Sequence, residues 1–231
     1  MYSENVADKF PVFRTASDVN TAMAGVYKHM AIAVLISMLV SYGISSVPAL
    51  MTILFTGWIK WVMIFLPILA VIGITVALAA DPPKPMAQAL LYGFAAIMGL
   101  SFSTIFIVYS MGSIFTAFMS AGILFGVMSF YGYFTKKSLD SLGKFMFVGL
   151  VSIILASIVN IFIGSSVFSM VISSLAIIIF LGLTAYDTQK IREMIMDGAD
   201  NNVEVIGALT LYLDFINIFL SLLQLFGGKK E

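Results

Sequence analysis

The sequence predicts an all-α, polytopic membrane protein of seven transmembrane helices, and three observations carry that prediction. First, 61% of its 231 residues are hydrophobic and only 10% charged, with a mean hydropathy of +1.06. A soluble domain has about 45–50% apolar and about 25% charged residues, so this chain lacks the charge to cover a surface facing water. Second, residues 30–59, 61–80, 85–135 and 145–186 contain no Lys, Arg, Asp or Glu. One crossing of the hydrocarbon core takes about 20 apolar residues, so the last two stretches must each fold back as two spans. Third, the runs are long and unbroken instead of alternating in short segments, which favours helices over a β-barrel. The composition argues against a soluble enzyme. Twelve basic and twelve acidic side chains cancel, leaving no positive field for a phosphate backbone, and no nucleic-acid partner is expected. Without cysteine there is no disulfide framework, thiolate metal site or cysteine nucleophile.

The elements follow in order. Residues 1–26 carry both charge signs and read as a cytoplasmic N-terminal segment ahead of a transmembrane domain over 27–227. They lack the basic start, short apolar run and small-residue cleavage site of a signal peptide, so the first helix is expected to target the chain. The first span ends near Ser45-Ser46-Val47-Pro48. The second covers about residues 58–80 and stops at Asp81-Pro82-Pro83-Lys84-Pro85, where proline removes amide donors and fixes the backbone. The third covers about 86–109 and turns at Ser110-Met111-Gly112-Ser113, with Ala89, Gly93, Ala96 and Ser103 as its small-residue packing face. The fourth reaches Phe134 and is closed by Thr135-Lys136-Lys137. The fifth covers about 145–163, and the sixth begins near Val167 after Gly164-Ser165-Ser166. Its helical pattern continues through Asp187 until Gly198 offers a stop. The seventh lies within about 203–226, ahead of a short tail over 228–231. Trp58 and Trp61 stand where an interfacial aromatic belt belongs.

Basic residues orient the bundle. With the N-terminus in the cytoplasm, nine face inward (Lys9, Arg14, Lys28, Lys84, Lys136, Lys137, Lys144, Lys190 and Arg192) and three outward (Lys60, Lys229 and Lys230). Seven crossings then place the C-terminus outside.

Two charged positions fall within the spans. Asp214 is near the middle of the seventh, where a carboxylate costs about 2.5–3.5 kcal/mol on insertion scales and usually faces a bundle interior or a water-filled path. Gly207, Thr210, Asp214, Asn217, Ser221 and Gln224 recur at spacings of three and four on one face of that helix. Either the helix is central and the stripe is interhelical glue, or the stripe lines a polar path. Counting from Val167 puts Asp187 roughly 30 Å along its helix, near the cytoplasmic boundary, while Asp214 lies about 16 Å in from that boundary. The count therefore separates the two carboxylates, unless tilt or an early start of the seventh helix closes the gap. Asn160 reads as an interhelical hydrogen bonder or a further member of the path. His29, the one histidine, reads as an interfacial residue or a secondary pH sensor. The methionines and phenylalanines read as packing and lipid-facing residues.

Ala185-Tyr186-Asp187-Thr188-Gln189, then Leu211-Tyr212-Leu213-Asp214-Phe215-Ile216-Asn217, then Leu222-Leu223-Gln224-Leu225-Phe226-Gly227 resemble the signature of the Bax inhibitor-1 family in its bacterial YccA-like branch. The similarity extends over residues 86–227 and includes Tyr131-Gly132-Tyr133. The resemblance implies a seventh helix surrounded by the other six, and a calcium leak that depends on pH. It also implies that Asp187 and Asp214 form a close pair, against the depth count. Two carboxylates in a poorly hydrated site do not both ionise cheaply, so such a pair shares a proton. Once deprotonated it offers a hard oxygen site to Ca²⁺, making protons and calcium competitors. The chain departs from some similar members in having no intramembrane arginine to lock the pair: no basic residue lies between Lys60 and Lys84.

The leading expectation is thus a pH-sensitive Ca²⁺ leak channel of the bacterial inner membrane, non-enzymatic and expected to be monomeric. Membrane lipid is its surroundings, Ca²⁺ its transported or bound ion, and no other cofactor is implied. An alternative, implied by the YccA-like resemblance, is a membrane interaction protein that modulates the FtsH protease through its N-terminal segment. A remote one is intramembrane aspartyl proteolysis, disfavoured because Leu211-Tyr212-Leu213-Asp214 replaces the Gly-x-Gly-Asp such enzymes carry.

Overall fold

The computed structural model describes residues 15–198 and 202–228. Residues 1–14 of the expected N-terminal segment and 229–231 of the tail lie outside the described residues, and with them Lys9, Arg14, Lys229 and Lys230. The described residues form helices joined by short loops, and seven of the helical segments are long and apolar enough to cross a membrane.

Helix α1 (Ala16–Ser45) opens at a capping box in which Asp18 N–H donates to the Thr15 hydroxyl and Thr15 N–H donates to the Asp18 carboxylate. It begins well before residue 27. Val19, Ala22, Met23 and Val26 are all buried, an apolar stripe at helical spacing that the mixed composition of this segment masks. A short helix, α2 (Pro48–Phe55), starts with proline at its first turn. Helix α3 (Ile59–Ala79) contains Pro67, which deprives the Met63 carbonyl of its helical donor. The Ser101 hydroxyl of the next span donates to that carbonyl at 3.4 Å, satisfying it inside the bundle.

The third span is interrupted: α4 (Lys84–Phe102) is followed by a turn and then α5 (Ile105–Val108). Its packing face differs from the expected one. Ala87, Leu91, Phe94, Ala95, Met98 and Gly99 are buried, whereas Ala89 and Gly93 are exposed. Ser103 of the expected face is buried, and the close approach to α1 is made at Gly99, where a Cβ would lie 2.7 Å from the Ser37 carbonyl oxygen. Helix α6 (Met111–Phe134) is capped by Ser110, which accepts from Ser113 N–H. Helices α7 (Asp140–Ile163), α8 (Ser166–Met196) and α9 (Val203–Phe226) complete the chain.

Helix α9 packs most closely on α8, and then on α1, α6 and, more lightly, α4. Buried residues make up 67% of its most apolar stretch, against at most 39% in any other span. Helix α3 packs on α4 and α7 on α8, and both line, together with α8 and α9, one cavity. Two glycines set the position of α8. A Cβ on Gly132 would lie 2.1 Å from the Ala185 carbonyl oxygen, and one on Gly143 would lie 2.5 Å from the Tyr186 ring. Both contacts fall on the two residues just before Asp187, so small residues on α6 and α7 bring that part of α8 close to its neighbours.

Candidate functional site: an aspartate pair in a polar cavity

Helix α9 buries apolar side chains on most of its circumference, including Leu211, Tyr212 and Ile218 with no exposed surface. Its remaining strip is the polar stripe. Thr210, Asp214, Asn217, Ser221 and Gln224 all line one cavity of about 1240 Å³ between α3, α7, α8 and α9. Gly207 does not; it lets Ile191 of α8 approach within 2.9 Å of where its Cβ would stand. A polar strip is costly against hydrocarbon, and here it turns into an open cleft between helices.

Asp187 reaches the same cavity from α8. Its carboxyl and that of Asp214 are interacting neighbours, while the nearby Thr184 hydroxyl donates to the Phe180 carbonyl of its own helix at 2.7 Å. Asp214 is 4% exposed and Asp187 half-buried. A carboxyl–carboxyl hydrogen bond needs one proton on the pair, because two carboxylates only accept. Among the described residues no hydrogen-bond donor reaches the buried Asp214 Oδ2.

The contact settles the depth discrepancy. Helix α8 runs 31 residues, about 46 Å at 1.5 Å per residue, well beyond a hydrocarbon core about 30 Å thick. Asp187 sits nine residues before α8 ends at Met196, and Asp214 eleven after α9 begins at Val203. The antiparallel helices thus bring the two to one level, because both continue past the membrane boundary that the count assumed.

Two of the other stripe residues turn donors back onto their own helix. Thr210 donates to the Ile206 carbonyl at 3.1 Å, and Asn217 Nδ2 to the Leu213 carbonyl at 2.8 Å. Thr210 spends its one donor and Asn217 one of its two on its own helix, and both oxygens keep accepting capacity. The α3 wall is apolar, formed by Ile68, Val71 and Ile72, so no basic side chain reaches the pair from that helix. Lys144 is the one basic residue among the lining. Among the described residues no group of three or more His, Cys, Asp or Glu could hold a metal; a cation here would meet two carboxylates and neutral oxygens.

Asn160 bridges α7 and α8, donating to Ser169 Oγ at 2.7 Å and accepting from Ser165 N–H at 3.2 Å. His29 does not line the cavity. It is buried between α1 and α4, with Nδ1 2.7 Å from the Tyr92 hydroxyl and Nε2 3.4 Å from Gln88. Sequence reasoning missed Thr184 and Ser173. Thr184 precedes Asp187 by three positions and shares its face, a spacing that could have found it. Ser173 Oγ donates to Gln224 Oε1 at 2.7 Å, a pairing that no local pattern announces.

A family model described as inhibitor of apoptosis-promoting Bax1 matches residues 19–231. The chain is similar to inner membrane protein YbhL of Escherichia coli (strain K12), 36% identical over 233 residues, covering 96% of this chain and 100% of that protein. An uncharacterized protein of Borreliella burgdorferi is 38% identical over 221 residues, covering 92% of this chain and 94% of its own length. The uncharacterized protein RP147 of Rickettsia prowazekii is 34% identical over 216 residues, with 90% of each chain covered.

Proposed function

The chain belongs to the Bax inhibitor-1 family, and from that membership we propose that it is a pH-sensitive cation leak channel of the bacterial inner membrane, with calcium as its cargo. The observation that carries the reading is the contact between Asp187 and Asp214 inside a cavity lined by oxygen-bearing side chains. Protonated, the pair holds itself together through a shared proton and offers little charge. Deprotonated, it presents up to two negative charges and several neutral oxygens, the donor set a hard divalent cation takes. The two forms compete for the same oxygens, so proton concentration sets cation occupancy. The inner-membrane location follows that of its Escherichia coli relative, inner membrane protein YbhL.

The test is Ca²⁺ flux into liposomes holding the purified full chain, measured across pH. Flux that varies with pH in the parent, and loses that variation in Asp187→Asn and Asp214→Asn, supports the reading. An unchanged flux and pH profile in both variants overturns it.

A further inference from the structure

The cleft that holds Asp187 and Asp214 opens between α3 and α7. Helix α3 packs on α2 and α4, and α7 packs on α8, so the two share the cleft without a packed seam between them. Their sides of it are apolar and exposed: Ile68 and Ile72 on α3, and Phe147, Ile154 and Ile158 on α7. Ile68 stands nine residues after the start of α3 (21 residues), Ile154 fourteen after that of α7 (24 residues) and Asp214 eleven after that of α9 (24 residues). Apolar rim and acidic floor therefore meet near mid-span, where exposed isoleucine faces hydrocarbon and the cleft opens sideways to the bilayer. Hydrocarbon covers a carboxylate only at high cost, and water covers exposed isoleucine no better. The opening suits a molecule of both characters.

We propose that this cleft binds a membrane-dissolved amphiphile of one positive charge, a long-chain primary amine, with its ammonium group on the aspartate pair and its alkyl chain between α3 and α7. Asp214 is 4% exposed, and its Oδ2 receives no donor among the described residues. An ammonium group brings three donors and needs no acceptor. Thr210 and Asn217, four residues before Asp214 and three after it, line the same cleft, and their oxygens can take the other two donors. A pair that shares one proton carries one negative charge. A monocation neutralises it without displacing that proton, whereas a divalent ion calls for both carboxylates ionised. A long-chain carboxylate would be repelled, and a zwitterionic phospholipid would bring its phosphate against the pair. Lys144, the one basic side chain on the lining, lies one turn into α7 and ten residues before Ile154, about 15 Å along the helix from the mid-span rim. The volume of about 1240 Å³ exceeds the roughly 300–1,000 Å³ of ordinary small-molecule sites, leaving room for head group and chain. The site goes beyond the leak reading and needs only the pair and its apolar opening.

The test is photolabelling of the full chain in phosphatidylcholine bilayers with a diazirine-bearing hexadecylamine, and with the alcohol and the carboxylic acid of the same chain. Mass spectrometry maps the attachment sites. The amine should attach within residues 68–72 and 147–158, and unlabelled hexadecylamine should compete it away. Asp187→Asn and Asp214→Asn should each cut that labelling about tenfold, the weight of one hydrogen bond to a charged group, while the alcohol labels both variants as weakly as the parent. Ile72→Trp fills the opening from an exposed position off the polar floor and should also reduce amine labelling, which keeps the site testable if an aspartate variant does not fold. Equal labelling by amine and alcohol, full labelling of both folded aspartate variants, or attachment spread evenly over the lipid-facing helices each overturns the site. Labelling reads binding and not transport, so Ca²⁺ flux untouched by Asp187→Asn and Asp214→Asn sinks the leak reading while the amine site stands or falls on its own result.

Discussion

Asp214 was legible from one residue type at one depth, because a carboxylate in mid-span is expensive enough to need a reason. Ser173 was not, although it lines the same cavity and bonds Gln224 there. Serine and threonine in these spans commonly return their hydroxyl to the carbonyl four residues back, as Ser152, Ser174 and Thr75 do, so the residue type alone carries no signal. Tyr212 is the clearest structural counterpart on the opposite side of α9. Its ring is fully buried and its hydroxyl lies 2.7 Å from Ser37 Oγ, which also donates toward the Ala95 carbonyl at 2.7 Å. Tyr212→Phe keeps the ring and leaves Ser37 another partner, so it should lower stability by only about 1 kcal/mol. Thermal unfolding of the purified protein in detergent reads this, and Ca²⁺ flux should be unchanged.

At the level of helices, the spans were readable because length and charge mark them, whereas their interruptions were not. The break at Ser103-Thr104 and the short helix α2 sit inside charge-free sequence, where hydropathy is blind to local backbone geometry. The start of α9 is tied down by contacts that link distant parts of the chain. Asn202 Nδ2 donates to Asp81 Oδ1 and to the Pro82 carbonyl, each at 2.7 Å, and Lys84 pairs with Glu204 at 3.2 Å. Asp81 itself has φ 46°, a left-handed conformation that aspartate tolerates better than most residues. Asn202→Ala removes both bonds from a residue 1% exposed and should destabilise by about 1–3 kcal/mol. Lys84→Met removes a partly exposed ion pair and should cost under about 1 kcal/mol. Comparing the two unfolding midpoints checks which contact anchors the loop. Gly132→Ala forces α6 off the Ala185 carbonyl and should cost at least the roughly 1–3 kcal/mol of an overpacked site; an unfolding midpoint equal to the parent's would contradict that crossing.

Across the whole molecule, large apolar side chains such as Ile161, Phe162 and Phe145 are strongly exposed, the arrangement a lipid-facing surface requires and a soluble one forbids. From the bias of the basic residues along the sequence we propose that the N-terminus lies inside. An alkaline phosphatase fused after Glu231 should then be active and a fluorescent protein at the same position dark. The reverse pattern would invert the bundle.

Apolar length, interrupted by charge and proline, was enough to count seven spans, assign the all-helical class and single out the stripe on α9, because those properties are additive along a chain in lipid. The meeting of Asp187 with Asp214 was within reach only as a family expectation, since a boundary count on separate helices placed them apart. Their contact depends on how far α8 and α9 continue past the hydrocarbon and on the glycine crossings at Gly132 and Gly143. The standing-off of α3 and α7, and the Ser173–Gln224 bridge, arise from packing between helices, which no single helix's pattern encodes.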